Sequence, residues 1–160
     1  MVRVEISEAS SGDDYAAGKV LFEEYAAALG VDLCFQNFTQ ELTNLATIYG
    51  PPPGCLLLAR TNLEWSGCVA IRYQRAAVCE MKRLYVKPQY RGKGLGRLLA
   101  ESVITRAQQL GYSQIVLDTL PTMTQAQSLY TSLGFLEVEG YYPNPLIGVR
   151  YLARDLASPV

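Results

Sequence analysis

The chain has no histidine, and its 160 residues include a single tryptophan. Without imidazole the usual general base and the usual zinc ligand are both missing, which removes most hydrolase and metalloenzyme readings. Its four cysteines, Cys34, Cys55, Cys68 and Cys79, share no metal-type spacing. Three of them fall in predicted strands, as expected of buried, reduced thiols in a cytosolic protein. No metal is expected. The longest apolar run, Cys55 to Ala59, is far too short to span a bilayer, and the first fifteen residues are too acidic and polar for a signal peptide. A cytoplasmic protein without membrane contact is the expectation. Net charge is −1, so nothing drives the chain as a whole toward nucleic acid.

What is present is ordinary in bulk. At this length one domain over residues 1–160 is expected, burying roughly two thirds of its unfolded surface. Alternation at Val2, Val4 and Ile6 gives a first strand. Ser10 or Ser11 caps a helix reaching Leu29, which Gly30 ends. Phe38, Leu42, Leu45 and Tyr49 predict one second helix, stopped by Gly50-Pro51-Pro52-Pro53-Gly54. Strands follow at Cys55–Arg60, Gly67–Tyr73 and Val78–Val86, the last an antiparallel neighbour of the one before it. After a further helix, Ile115–Leu117 reads as a strand buried on both faces. Thr122–Leu133 is the last helix, and Leu136–Val138 and Val149–Asp155 close the sheet. Strands paired first by hairpins and then through helices indicate a mixed α/β sheet.

Chemistry concentrates in residues 80–97, Glu-Met-Lys-Arg-Leu-Tyr-Val-Lys-Pro-Gln-Tyr-Arg-Gly-Lys-Gly-Leu-Gly-Arg. An alternating strand runs into Pro88, then into a basic, glycine-rich turn. That turn opens a helix with apolar residues at Leu95, Leu99, Val103, Ala107 and Leu110. Such a turn exposes unpaired backbone N–H groups at the positive end of a helix dipole, a geometry that binds phosphate. Arg91, Lys93 and Arg97 add full charges; the other reading is a solvated basic turn. The turn is not a P-loop, which needs Gly-x-x-x-x-Gly-Lys and then Ser or Thr. Nor is it a dinucleotide fingerprint, because the sixth position counted from Gly92 is Arg97 rather than glycine.

The remaining pattern, Arg91-x-x-Gly94-x-Gly96 behind a strand carrying Glu80, closely resembles the acyl-coenzyme-A-binding segment of the GNAT superfamily of N-acetyltransferases. A second segment, Ala126-x-x-Leu129-Tyr130-x-x-Leu133-Gly134-Phe135, is similar to the superfamily's later helix. The likeness covers Cys55 to Asp155; before that, only the order of elements agrees. It implies a central, mostly antiparallel mixed sheet flanked by about four helices and splayed between the strands of Glu80 and Ile115. It implies acetyl-coenzyme A as co-substrate, its pyrophosphate on the amides from Gly92 through Gly94, Leu95 and Gly96 to Arg97, with Arg91 and Lys93 as charge partners. The main chain of Leu84, Tyr85 and Val86 would pair with the pantetheine arm, the Leu84 amide donating to the thioester carbonyl. Tyr130 would be the general acid at sulfur; the other reading is a core tyrosine beside Leu129 and Leu133. Where the family often has an asparagine on pantetheine this chain has Met123, and Gln125 or Gln127 could substitute.

An amine with a pKa of about 10 is almost entirely protonated at pH 7, so a base helps. Glu80 is the first candidate. Strand parity, bulges aside, puts it on one face with Lys82, Leu84 and Val86. The other reading is an exposed glutamate paired with Lys82 or Arg83. The acceptor is expected to be a primary amine of a small molecule or amino acid, with a protein amine second. Tyr25, Phe35, Gln36, Tyr49, Tyr141 and Tyr142 would shape its pocket, and Glu23, Glu24, Asp32 or Glu41 would anchor a cation. Direct transfer is expected, because no cysteine has a histidine partner. A coenzyme-A sensor or interaction domain without turnover is the rival reading. Pairing through sheet edges would give a homodimer, which the sequence leaves open.

Overall fold

The computed structural model describes residues 2–33 and 37–156. A seven-stranded sheet runs through it in the order β1-β2-β3-β4-β5-β7-β6. The strands are β1 (Val4–Glu8), β2 (Cys55–Thr61), β3 (Glu64–Arg75), β4 (Val78–Val86), β5 (Gln114–Thr119), β6 (Leu136–Val138) and β7 (Arg150–Asp155). Every pairing is antiparallel except β4 with β5. Among the described residues the helices are α1 (Gly12–Leu29), α2 (Phe38–Thr43), α3 (Leu45–Ile48), α4 (Leu95–Gln109) and α5 (Thr124–Ser132), with a 3₁₀ turn at Pro88–Tyr90.

The local reasons are readable. Ser11 caps α1 in a reciprocal capping box with Asp14, and Gly30 takes the left-handed conformation that ends it. The helix expected from Phe38 to Tyr49 is two short ones. Asn44 leaves helical geometry between them, and its side-chain Nδ2 donates to the Gln40 carbonyl. The helical spacing was present, but the asparagine competes for its own backbone.

The two larger of three hydrophobic clusters among the described residues sandwich the sheet. On one face Leu99, Ala100, Val103 and Ala107 of α4 meet Val69, Ile71, Cys79 and Met81, and Tyr130 and Phe135 extend this layer. On the other face Leu21 and Phe22 of α1 and Leu45 of α3 pack with Tyr49 on Leu56, Leu58, Cys68 and Ala70. Truncating a fully buried leucine such as Leu99 to alanine costs ~2–5 kcal/mol in such a layer. Gly67 lets β3 approach β4 closely, for a Cβ there would stand 2.6 Å from the Tyr85 carbonyl oxygen.

The sheet opens beyond Glu80. β4 pairs with β5 only over Val78–Glu80 against Gln114–Val116. Beyond Glu80 the two strands part, as the likeness implied, and β5 continues against β7 alone.

Candidate active site

A β-bulge in β4 sets the geometry. Cys68 lies opposite Tyr85 and Ala70 opposite Lys82, so Arg83 and Leu84 together face Val69 and drop out of the regular register. Arg83 has φ +61°, a left-handed conformation that is strained for an arginine. Its side chain repays the strain: Nε and Nη2 donate to Glu41 at 3.0 and 2.9 Å in a buried bidentate pair. Phe38 and Tyr25 lie under the guanidinium at 5.1 and 5.6 Å.

The bulge also corrects the parity expected from sequence. Leu84 and Val86 pack with Met81 against the α4 layer, whereas Glu80 bonds Arg72 and Tyr141 away from it. Glu80 and Leu84 therefore do not share a face, because the extra residue rephases the alternation between them. Four residues of regular strand would separate them by roughly 13 Å at ~3.3 Å per residue, and the bulge shortens that span.

A groove of about 550 Å³ runs along this edge. Leu84, Tyr85 and Val86 form one wall, Arg91, Gly92, Gly94, Leu95 and Gly96 its end, and Met123, Gln125, Ala126 and Leu129 the opposite side. Gly92 and Gly94 have φ of +81° and +82°, and a Cβ at either would meet nothing within 4 Å. They are glycine for conformation rather than for space. Gly94 caps α4, and the first amide taken up inside the helix is that of Leu98, which donates to the Gly94 carbonyl. The amides of Leu95, Gly96 and Arg97 are thus the helix's orphan donors at its positive end. These residues fit a pyrophosphate.

The charged residues divide. Arg91 lines the groove, steadied by Nε donation to the Val86 carbonyl at 2.8 Å and by the Tyr85 ring. Lys93 lines a separate apolar hollow beside Val2, Val4 and Leu98. Arg97 is turned to Ser132 and Glu101, outside the groove lining. Of the two glutamines, Gln125 lines the groove beside Met123. Gln127 is committed elsewhere, donating to the Leu120 carbonyl and accepting from Arg150.

Tyr130 is buried and packs edge-on to Phe135 at 5.6 Å. It lines a gap of about 20 Å³ at the opening of the sheet, with Lys82, Leu84, Asp118 and Met123. Leu84 belongs to both gap and groove. Burial raises the Tyr130 phenol well above its ordinary value, so it is a proton donor throughout the neutral range.

Glu80 is 1% exposed, unlike the exposed glutamate of the alternative reading. Arg72 Nε donates to its Oε1 at 2.9 Å, Tyr141 donates to its Oε2 at 2.6 Å, and Lys82 Nζ stands 4.0 Å away. Burial, then the Arg83 charge, lower the Lys82 pKa against the pull of Glu80 and Asp118. Glu80 lies in a cavity of about 350 Å³ walled by Ile48, Arg72, Tyr73, Gln74, Tyr141 and Tyr142. Beside it Asp118 accepts from Tyr142 and, at 3.4 Å, from Asn144. The rings of Tyr141, Tyr142 and Tyr151 contact one another at 5.3 to 5.7 Å.

Of the residues expected around an acceptor, Tyr141 and Tyr142 line this cavity and Tyr25 lines the groove. Tyr49 is core, against Phe22. Glu41 holds Arg83, and Glu24 holds Tyr85 and Lys87. Glu23 and Asp32 are exposed and outside the cavity lining, and Phe35 and Gln36 lie outside the described residues. Arg72, Gln74, Lys82 and Asp118 were missed as site residues. Buried charge in β3–β5 was the available signal, but it emerges only once the strand register is known.

The Cys55 and Cys79 thiols are pushed up to about 12 by burial, far from a reactive thiolate. Among the described residues no helix is long and apolar enough to cross a membrane.

Comparison with known proteins agrees with this geometry. The family model described as the acetyltransferase (GNAT) family matches residues 20–135. An uncharacterized N-acetyltransferase of Schizosaccharomyces pombe is 43% identical over 157 residues, 97% of this chain and 96% of that protein. The N-acetylaspartate synthetase of Xenopus tropicalis is 32% identical over 126 residues, 78% of this chain but 43% of its own length. A GNAT-family acetyltransferase structure from Staphylococcus aureus superposes with a TM-score of 0.79 at 22% identity, covering 97% of this chain and 100% of that one. Together with the phosphate-fitting turn, the bulged strand and the open sheet, these matches make the chain a member of the GNAT family of acetyltransferases.

Proposed function

We propose that this enzyme transfers an acetyl group directly from acetyl-coenzyme A to a primary amine of a small molecule or amino acid. The observation that carries this reading is the continuity of two spaces at Leu84. The phosphate-fitting groove and the gap beneath Tyr130 share that residue. The gap also holds Asp118, which Tyr142 of the Glu80 cavity contacts. Acetyl-coenzyme A supplies the activated thioester. The chain's amides from Gly92 to Arg97, with Arg91, hold the pyrophosphate. The amide of Leu84, outside the regular register, donates to the carbonyl oxygen; such a donor is worth ~3 kcal/mol in the transition state.

As the amine nitrogen bonds the carbonyl carbon, the carbon–sulfur bond breaks. Glu80, four residues along β4 from Leu84, receives the nitrogen's proton through a chain of waters. Tyr130 gives its phenolic proton to the departing thiolate and is reprotonated from solvent. The raised thiols of Cys55, Cys68 and Cys79 and the absence of histidine support transfer without an acyl-cysteine intermediate. The N-acetylaspartate synthetase likeness supports an amino-acid acceptor, and a protein amine ranks second.

The test is release of free coenzyme-A thiol against a panel of amines, alongside calorimetry with acetyl-coenzyme A. Binding with amine-dependent thiol release is expected. Binding without release on any acceptor would replace this reading with a coenzyme-A sensor. Absence of binding would remove both.

A further inference from the structure

In the acetyltransferase reading, on which this inference rests, a proton passes from an acceptor nitrogen near Leu84 to Glu80, four residues back along β4. The side chain between them is Lys82. It lines the gap that also holds Leu84, Asp118 and Tyr130, and its Nζ lies 4.0 Å from Glu80 Oε2. Strand register accounts for that placement. Glu80 and Val116 are the last residues that pair β4 with β5. Lys82 and Asp118 come next on the same face of each strand, so they flank the opening where the strands part. The bulge begins only after Lys82, which still pairs in register with Ala70.

Lysine is rarely buried, and this one is 4% exposed. It is not needed as the counter-charge of Glu80, because Arg72 already donates to that carboxylate at 2.9 Å. Arg83, the next residue, is a further cation beside it, bound to Glu41. Two guanidiniums nearby and the loss of hydration make a fixed charge at this position costly. An ammonium can relieve that cost by giving up its proton, which a guanidinium cannot do. The gap, at about 20 Å³, has room for about one water, and Lys82, Asp118 and Tyr130 offer it polar partners. The acceptor nitrogen has its space in the wider groove on the other side of Leu84.

We propose that Lys82 carries the acceptor's proton from the thioester end of the site to Glu80. Neutral Lys82 Nζ takes that proton, through a water in the gap, as the nitrogen–carbon bond forms and the carbon–sulfur bond breaks. A rotation of the lysine chain closes the 4.0 Å to Glu80, which accepts the proton. Glu80 then releases it to solvent through its own cavity, where Tyr73 is exposed. Tyr130 protonates the thiolate as above, and Lys82 and Glu80 end the cycle in the states in which they began.

The experiment uses the best amine found by thiol release and separates proton transfer from charge. Lys82→Arg keeps the positive charge but cannot shed a proton near neutral pH. A fall in kcat of about 100-fold is expected in Lys82→Arg and Lys82→Met alike, with acetyl-coenzyme A affinity nearly unchanged by calorimetry. Near-native kcat in Lys82→Arg overturns the proposal, makes Lys82 a counter-charge and leaves the acetyltransferase reading standing. Should that variant not fold, the native pH profile decides. Because the neutral amine is the active form, kcat should rise with pH, and Lys82→Met should lose that rise. The other groups around Lys82 all remain in Lys82→Met: Glu80, Asp118, Arg72, Arg83 with Glu41, and the phenols Tyr25, Tyr130, Tyr141 and Tyr142. A native kcat flat between about pH 6 and 9, or a rise that survives in Lys82→Met, overturns the proposal. If the native protein releases no thiol on any amine, the acetyltransferase reading falls and this proposal falls with it.

Discussion

The groove at the glycine turn and the cavity at Glu80, which the proposed function joins in one reaction, are built in opposite ways. The groove is main chain: left-handed glycines, orphan amides of one helix terminus and a rephased strand edge, mostly within residues 84–97. The cavity is side chain: Arg72 and Gln74 from β3, Glu80 from β4, and Tyr141 and Tyr142 from the loop before β7. A contiguous backbone device leaves a readable motif. A pocket assembled from separated segments does not, and only there can neighbouring carboxylates and cations be counted.

That contrast can be broken at several points. The largest effect is expected where a side chain holds the main chain in place. Glu41→Gln leaves the buried Arg83 guanidinium without its counter-charge, costing about 3–5 kcal/mol by urea titration and suppressing turnover through the bulge. Unchanged stability would detach the bulge from that pair. Next, Tyr130→Phe should lower kcat about 100-fold at nearly unchanged acetyl-coenzyme A affinity. Because burial raises this phenol, native kcat should show no alkaline loss from it up to about pH 10. A fall in affinity alone would instead make Tyr130 a packing residue.

Smaller effects sharpen the reading of the turn. Gly94→Ala meets no steric obstacle but must hold φ +82°, at ~1–2 kcal/mol, so coenzyme-A affinity should drop about tenfold while the fold persists. If the loss were absent, Gly94 would be glycine for another reason. Arg97→Ala should do least, because that exposed side chain is turned to Glu101 and Ser132. Affinity within about twofold is expected, with a stability change of ~0.3–0.5 kcal/mol. A tenfold loss would return Arg97 to the phosphate.

The turn, the α4 stripe and the succession of strands along the chain could be read from the sequence because each depends on local spacing or glycine chemistry. Asn44 was harder, since a single competing side chain cut a correct helical pattern in two. Glu41 looked like an anchor for a substrate cation, yet the cation it holds is Arg83, 42 residues away. The bulge was least visible. A left-handed arginine has no composition signal, and its effect on every later side chain of β4 follows only from the register.

The odd residue at Arg83 has a consequence for how this strand can change. Deleting one position between Met81 and Leu84 would restore even pleating, relieve the backbone and give β3 a complete partner. The smoother sheet would then claim the Leu84 amide that the proposed reaction needs. Selection for stability alone would therefore push this segment toward a sturdier protein with nothing left to offer a thioester.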